Sequence, residues 1–340
     1  MEVSRNHALP LPQAYHNSPD IGVREGQAVR NGLCAGISRI GIGIAAMGMS
    51  VPALTQSHDD PLTRPIAPQS AQRWLGPQAP VRIHGQTYLV GFAGLNVALI
   101  RTSAGLILMD GAVPQAVSDV KAHIRALGFS IRDVKLILST EPHFDHAGGL
   151  AALARDSGAT VIASAEGVAE LRTGGGNPAD PQAAWLERFP PVTRLRVARD
   201  GEAIQLGDTV VTAHATPGHT VGSMSWSWRS CEGKGKRQDC KTIVFAASLN
   251  PAAVDSYRFS APANRSLTSA FQASFAKVRM MPCDILLTTH PDQGDGRAQL
   301  TRLKKQRHPN PFVDTTACRR YADRNAARLD AKLAAEAAQR

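Results

Sequence analysis

The stretch Glu141-Pro142-His143-Phe144-Asp145-His146-Ala147-Gly148-Gly149 concentrates side chains that can bind a metal ion within a few residues. It follows directly on the apolar run Val134–Leu138, which predicts a buried strand. A strand that ends in a loop of imidazoles and carboxylates holds these groups in a rigid frame, as a metal site requires. We therefore predict a metal site in this loop, completed by residues from other parts of the chain.

Two further histidines occupy the same kind of position, directly after a predicted strand. His219 follows the predicted strand Thr209–Ala213, and His290 follows the predicted strand Ile285–Leu287. The ends of neighbouring strands lie close together, so these imidazoles are expected to converge on the loop, and imidazole with carboxylate favours zinc. A short H-x-D-H pattern alone could equally be a polar surface loop. Three other histidines fall inside predicted strands or a helix and are interpreted as packed or surface residues: His84, His123 and His214.

The pattern of elements predicts an α/β fold. Each half of the chain gives several strands and then helices mixed with further strands, which two sheets packed face to face with helices outside would bury. The chain has 340 residues, 43% of them hydrophobic, and residues 56–340 are expected to form a single domain. Residues 173–191 are rich in Gly and Pro and predict a long loop of functional importance. Residues 314–339 predict an amphipathic C-terminal helix.

The net charge of +10 is spread widely along the chain. Binding to nucleic acid would require a dense basic stripe with interleaved aromatic residues, and the basic clusters at 234–237 and 302–307 lack one. We therefore expect no nucleic-acid partner. The protein is also expected to be a monomer.

Residues 1–55 are interpreted as a leader that directs export. An apolar run starts at Ile40, is preceded by Arg30 and Arg39, and ends in small residues near Ala53, as in a secretory signal. An uncleaved membrane anchor is the alternative; after cleavage no stable membrane association is expected. Four cysteines remain in the body of the chain, and none forms a CxxC pattern. Two disulfides in a periplasmic or secreted protein are the simplest explanation.

The sequence resembles the metallo-β-lactamase superfamily over residues 81–320. The resemblance rests on ExHFDHAGG at 141–149, TPGHT at 216–220 and TTHP at 288–291. The third subclass (B-three) is the nearest in resemblance, through the opening strands at 90–112, FAASLN at 245–250 and MPCDILLTTHP at 281–291. This resemblance implies an αββα sandwich, export, and two zinc ions that generate a hydroxide to hydrolyse the amide of a β-lactam.

The resemblance also implies roles for individual residues. One zinc ion would be bound by Glu141, His143 and His219, and the other by Asp145, His146 and His290. Asp145 would in addition orient the attacking water and take up its proton, while Ser248 and Asn250 would contact the substrate carboxylate. Asp110, from its position at the end of a predicted strand near the same face, is interpreted as supporting the site rather than binding metal. The disulfides implied are Cys231–Cys240 and Cys283–Cys318.

Glu141 departs from the family pattern HxHxDH, in which this position is histidine. A carboxylate adds negative charge where imidazole adds none, so we expect a weakened first zinc site and less acidification of the attacking water. The leading interpretation is a zinc β-lactamase acting on penicillins, cephalosporins or carbapenems. Alternatives on the same scaffold are a lactonase of acyl-homoserine signals and a thioester hydrolase of the glyoxalase II type. A third, a non-catalytic protein with a decayed site, is disfavoured by five intact ligands.

Overall fold

The computed structural model describes residues 60–66, 69, 73–233, 235 and 238–339. The leader predicted at residues 1–55 lies outside these residues and stays a prediction. Within the described part, the strands form a seven-stranded and a five-stranded sheet. The seven-stranded sheet contains, in spatial order, β1 Val81–His84, β2 Thr87–Leu89, β3 Ala98–Thr102, β4 Gly105–Met109, β5 Val134–Leu138, β6 Thr160–Ala163 and β7 Leu195–Val197.

The five-stranded sheet has the spatial order β12-β11-β10-β9-β8. Its strands are β8 Ala203–Leu206, β9 Thr209–Ala215, β10 Met224–Glu232, β11 Asp239–Ala246 and β12 Ile285–Thr288. The α-helices of the described residues are α1 Val117–Ala126, α2 Phe144–Ala147, α3 Leu150–Ser157, α4 Ala165–Thr173, α5 Arg265–Met280, α6 Gly296–Lys305 and α7 Ala317–Ala337.

The two sheets pack face to face, and helices cover their outer faces. Alternation along β4 sends Ile107 into the core between the sheets and Leu108 into the core beneath α1 and α3. In the same way, Phe245 of β11 faces the first sheet, while Val244 faces the core beneath α5 and α7. Trp226 is fully buried between the sheets. The predicted αββα sandwich is therefore confirmed.

The strands that precede the predicted ligands end at one edge of the sandwich. In the first sheet β4 and β5 are parallel, and in the second β11 and β12 are parallel. Strand β9 runs in the same direction as β11, because each is antiparallel to β10. The Trp226 indole N–H donates to the Ser139 carbonyl oxygen at 3.2 Å and joins the sheets just below this edge.

Both implied disulfides are present in the structure. Cys231 and Cys240 are directly opposite each other on β10 and β11 and close the outer end of this hairpin. Cys283, just before β12, is bonded to Cys318 in the first turn of α7. The second bond ties the C-terminal helix to the strand that carries His290.

Several elements differ in extent from the predictions. The sequence alone predicts strands at 223–228 and 242–246, and the hairpin β10–β11 extends beyond both because its outer residues continue the ladder towards the disulfide. The C-terminal helix begins at Ala317, since Asp314 accepts hydrogen bonds from the Thr316 N–H and hydroxyl in a turn before it. No helix in the described part of the chain is long and apolar enough to cross a membrane.

Candidate metal centre

The loop after β5 packs directly on the turn after β4. The Gly149 N–H donates to the Ala112 carbonyl oxygen at 2.9 Å, and the Gly111 N–H donates to the His146 carbonyl oxygen at 2.8 Å. A Cβ atom at Gly149 would lie 2.2 Å from the Gly111 carbonyl oxygen, which no side chain tolerates. The glycine after the motif therefore allows the close approach that places His146 next to Asp110.

Asp145, His146 and His290 converge on one point. The Nε2 atoms of His146 and His290 are 3.1 Å apart, and Asp145 Oδ2 is 3.2 Å from each. The donor atoms of all three residues lie within 4.8 Å of one another. Asp145 and His146 are contributed by α2, and His290 by the turn after β12. The structure thus brings together the three residues predicted for one metal ion.

The electrostatics of this cluster call for a cation. Burial alone would lower the pKa of His146, but the carboxylates of Asp145 and Glu141 outweigh it and raise the pKa to about 10. For Asp145, burial raises the pKa, yet His146 and His290 hold it well below its ordinary value. Ring nitrogens 3.1 Å apart cannot both present lone pairs to each other without a proton or metal ion between them.

Histidine rings around the centre are fixed by acceptors on their outer side. His290 Nδ1 donates to the Gly94 carbonyl oxygen at 3.1 Å, and His219 Nδ1 donates to the Asn250 carbonyl oxygen at 2.9 Å. A carbonyl oxygen only accepts, so the Nε2 atom of each ring keeps its lone pair for the interior of the site. Metal-binding histidines typically have such an outer partner.

Asp110 lies behind His146, as expected of a supporting residue. Its Oδ2 atom is 3.8 Å from His146 Nδ1, and its carboxylate accepts hydrogen bonds from the Thr140 N–H at 2.8 Å and the Thr140 hydroxyl at 2.6 Å. Burial raises the pKa of the Asp110 carboxyl to about 7, against the opposing effects of His146 and Thr140. Asp110 has a φ of 64°, so the backbone bends sharply at the end of β4.

His143 and His219 form a second pair beside the cluster. Their ring centroids are 4.9 Å apart in an edge-to-face arrangement. His143 Nε2 is 2.9 Å from Asp180 Oδ2, and the Gln182 side-chain amide nitrogen is 3.3 Å from His219 Nε2. Asp180 and Gln182 belong to the long loop predicted at residues 173–191. That loop was identified from its composition, but no signal in the sequence singled out these two residues.

Glu141 is fully buried and faces His146. Its Oε1 atom is 3.0 Å from His146 Nε2, and its carboxylate accepts from the Ser248 N–H at 3.1 Å and the Ser248 hydroxyl at 2.8 Å. Burial opposes ionisation, but nearby histidines, led by His146, lower the pKa of Glu141. In the described residues no hydrogen bond or ion pair joins Glu141 to His143 or His219, the partners implied for it. The structure therefore associates Glu141 with the neighbouring cluster.

Ser248 and Asn250 occupy different surroundings, although the resemblance implies one role for both. Ser248 is fully buried, and its hydroxyl lies between Glu141 and the Thr289 hydroxyl, so it does not line the cavity. Asn250 does line the cavity, and its Oδ1 atom is buried without a hydrogen-bond partner. Both residues lie after the end of β11 in irregular backbone, so side chains two positions apart are not held on one face as they would be in a strand.

A cavity of about 560 Å³ opens above Asp145, His146 and His290. One part of its wall is apolar and includes Trp74, Phe144 and Trp185, the last of which is 56% exposed. Arg297 and Arg328 line another part, and neither forms an ion pair with a carboxylate of the described residues. A charged ligand with an apolar portion would fit such a wall. Neither arginine was predicted, because the sequence does not indicate that α6 and α7 reach the cavity.

Histidines predicted to be packed lie away from this cavity. His84 Nε2 is 3.2 Å from the Asp239 carbonyl oxygen, His123 Nδ1 is 2.9 Å from the Val90 carbonyl oxygen, and His214 Nε2 is 2.8 Å from the Ser227 hydroxyl. None of the three lines the metal cavity. The three residues have protein partners away from the candidate site, in agreement with their interpretation as packed or surface histidines rather than ligands.

Comparison with known proteins connects this geometry to a family. Residues 90–232 match the model of the metallo-β-lactamase superfamily. A solved B3 metallo-β-lactamase with an active-site glutamic acid is 50% identical, with 82% of this chain and 98% of that chain covered and a TM-score of 0.74. MEM-A1, a subclass B3 metallo-β-lactamase from a soil metagenome library, is 44% identical, with coverage of 78% and 100% and a TM-score of 0.74.

A curated relative from Gallus gallus, the acyl-coenzyme A thioesterase MBLAC2, is 34% identical over 150 residues. The match covers 38% of this chain, and it spans about half (51%) of the length of that relative. The solved structures, by contrast, are matched over almost their whole length and at higher identity. The chain therefore belongs to the metallo-β-lactamase superfamily, where it is similar to subclass B3 enzymes.

Proposed function

We propose that the protein hydrolyses the amide bond of β-lactams, such as penicillins, cephalosporins and carbapenems, in a zinc-dependent reaction. The observation that carries the proposal is the convergence of Asp145, His146 and His290 at the floor of a cavity. Structural relatives described as B3 metallo-β-lactamases support the choice of substrate class.

The residues present fit a zinc centre. The Nε2 atoms of His146 and His290 and the Oδ2 atom of Asp145 lie 3.1–3.2 Å from one another, and no lysine or arginine of the described residues forms an ion pair with them. Two imidazoles and a carboxylate are ligands that zinc prefers. Asp145, His146 and His290 would hold one ion, and His143 and His219 would hold a second. When bound, the metal would polarise the substrate carbonyl and acidify the attacking water.

Residues of the chain would then orient the reactants and handle the proton. Asp145 Oδ2 faces the cavity between two imidazoles and would accept a hydrogen bond from the attacking water and then take its proton. That proton would next be donated from Asp145 to the leaving nitrogen of the opened ring. Asp110 and the backbone acceptors of His219 and His290 keep the imidazoles in place throughout.

The substrate carboxylate would be bound at the arginine-lined side of the cavity. Arg297 and Arg328 supply positive charge there, and the side-chain NH₂ group of Asn250, which lines the same cavity, would donate a further hydrogen bond. Apolar substituents of the substrate would pack on Trp74 and Trp185. Of the two residues that the resemblance implies for substrate binding, Asn250 keeps that role in this proposal. Ser248 instead holds Glu141 through hydrogen bonds.

Replacing either arginine should weaken binding of an anionic β-lactam. We expect Arg297→Ala and Arg328→Ala each to raise KM about three- to tenfold with little change in kcat, since the lost charge pair lies away from the reacting bond. Steady-state kinetics on one cephalosporin would measure both constants. Arg302→Ala, on the same helix as Arg297 but outside the cavity wall, is the matched control. An unchanged KM in both variants would contradict the proposed carboxylate site.

Assays of three substrates on the zinc-loaded protein would test the function itself. A chromogenic cephalosporin, an acyl-homoserine lactone and an acyl thioester should be compared at the same enzyme concentration. We expect the cephalosporin to give the highest kcat/KM, and preparation in the presence of a chelator to abolish turnover. Absence of β-lactam turnover at every zinc concentration would reject the proposal.

A thioester hydrolase is the second candidate function. It is favoured by the similarity to an acyl-coenzyme A thioesterase, although only about half of that relative is covered. Thioester hydrolysis needs the same activated water and polarised carbonyl, so the metal-binding residues do not discriminate between the two reactions. The thioester arm of the assay distinguishes them.

We also propose that the protein is exported, with residues 1–55 as the leader and residues 56–340 as the enzyme domain. The two disulfides support this proposal because such bonds form and persist in the periplasm or outside the cell.

A further inference from the structure

We infer that Asp180 is a positioning residue that orients His143 for metal binding and thereby makes the first metal site depend on the 173–191 loop. The inference rests on the proposed metal centre. Its structural basis is the contact between Asp180 Oδ2 and His143 Nε2, which are 2.9 Å apart. The exposed fractions of the two side chains are only 2% and 4%, so water does not compete for this contact.

The direction of this hydrogen bond fixes the tautomer of His143. A carboxylate accepts hydrogen bonds, so the hydrogen must be on His143 Nε2. In the neutral ring the lone pair is then on Nδ1, which becomes the nitrogen available to a metal ion. His219 has the opposite arrangement, since its Nδ1 donates to the Asn250 carbonyl oxygen. Asp180 therefore determines which edge of the His143 ring can bind metal.

The carboxylate of Asp180 is itself held by its own loop. Its Oδ1 atom accepts a hydrogen bond from the Gln182 N–H at 2.7 Å. The Asp180 N–H donates to the Asn177 carbonyl oxygen at 3.2 Å, and the Asp180 carbonyl oxygen accepts from the Ala183 N–H at 3.0 Å. Both carboxylate oxygens are thus engaged, one by the loop and one by His143. This arrangement fixes the side chain in the orientation that His143 requires.

His143 differs from the other rings in the origin of its support. His290 and His219 donate to backbone carbonyl oxygens, which every residue type provides. The nearest outer group to His146, Asp110, is at 3.8 Å and ends a strand of the sheet. Only His143 donates to a side chain of the long loop, which also supplies Gln182 and Trp185 to the cavity wall. Metal affinity and the shape of the cavity are therefore linked through one residue.

Asp180→Asn tests this role with little change in shape. The amide can still accept from the Gln182 N–H, but its NH₂ group cannot accept a hydrogen bond from His143 Nε2–H. We expect the affinity for the ion held by His143 and His219 to fall about 10- to 100-fold, while the ion held by Asp145, His146 and His290 is retained. Zinc bound per chain would be measured across buffered free-zinc concentrations. The visible absorption of the cobalt-loaded protein would report on coordination independently of activity.

Asn177→Ala is the matched control. It removes the side-chain hydrogen bonds of Asn177 to Glu170 and to the Ala179 N–H in the same loop, but it does not touch His143. We expect its metal affinities and cobalt spectrum to match those of the wild type. Equal loss of affinity in Asn177→Ala and Asp180→Asn would overturn the inference, because loop structure alone would then explain the effect. Circular dichroism and thermal unfolding would show that both variants are folded.

The outcomes separate this inference from the proposed function. The inference is supported if the wild type binds two ions and Asp180→Asn loses the ion held by His143 and His219. Unchanged affinities and spectrum in Asp180→Asn would overturn it and leave the metal centre standing. A wild-type protein that binds neither zinc nor cobalt would instead overturn the proposed function, and the inference with it.

Discussion

Asp145→Asn is expected to lower kcat for β-lactam hydrolysis by roughly 10²–10⁴-fold, the range found when a positioned acid–base group is removed. The carboxylate lies 3.2 Å from the Nε2 atoms of both His146 and His290. The amide has nearly the same shape but lacks the charge that balances a cation and the basic oxygen that takes up a proton. Steady-state kinetics at saturating zinc would measure the loss.

Metal content separates the two contributions of Asp145. Zinc analysis of Asp145→Asn at limiting and at saturating zinc should show weakened binding at the site of His146 and His290. A rate that stays low after full metal loading would assign the remaining loss to proton handling. Asp119→Asn, an exposed position on α1, is the control and should behave as the wild type. Wild-type kcat at saturating zinc would exclude the role in proton handling, and wild-type zinc affinity would exclude the role in metal binding.

Much of this site was predictable because each candidate ligand follows a short strand-like run and lies among turn-forming residues. Strand-like runs before His143, His219 and His290 correctly predicted three strand ends at one edge of a sandwich. The residues after these runs are turn formers, so the direction of the backbone at each histidine is determined locally. Convergence then follows from the common direction of the strands: β9 and β12 both run with β11, because β9 and β11 are each antiparallel to β10 and β12 is parallel to β11.

Contacts between distant segments were not predictable in the same way. Glu141 is held by Ser248, which is 107 positions away, and no local pattern indicates that these side chains meet. Asp180 lies in a loop without periodicity, so its contact with His143 depends on how the loop folds back. Helix α4 was also missed, although Ser164 caps it by accepting from the Gly167 N–H, because the helix is short and only lightly apolar.

Glu141→His is expected to strengthen the first metal site by about 10- to 100-fold, the scale on which single groups around a metal change its affinity. The Glu141 carboxylate is occupied by the Ser248 N–H and hydroxyl and by His146. His143 and His219 are therefore left without a close third ligand. An imidazole has no carboxylate oxygens to accept the hydrogen bonds from Ser248. We therefore expect the ring to turn towards His143 and His219.

The same substitution should also change the pH dependence of the reaction. Removing a buried negative charge makes the centre a stronger Lewis acid, so the attacking water is acidified more and the acid limb of kcat against pH moves to lower pH. Zinc stoichiometry and pH–rate profiles of the wild type and Glu141→His would test both effects. Equal zinc content with an unchanged profile would show that Glu141 does not limit the first site.

Ser248→Ala distinguishes the charge of Glu141 from its orientation. This variant removes the hydroxyl that donates to Glu141 at 2.8 Å and leaves the carboxylate in place. If orientation limits the first site, the freed carboxylate should reach the pair formed by His143 and His219, and zinc affinity should rise in Ser248→Ala as well. If charge is the limit, affinity should rise only in Glu141→His, and only that variant should shift the pH profile. Because the two variants predict different combinations of affinity and pH dependence, together they identify how a glutamate at the first motif position alters this metal centre.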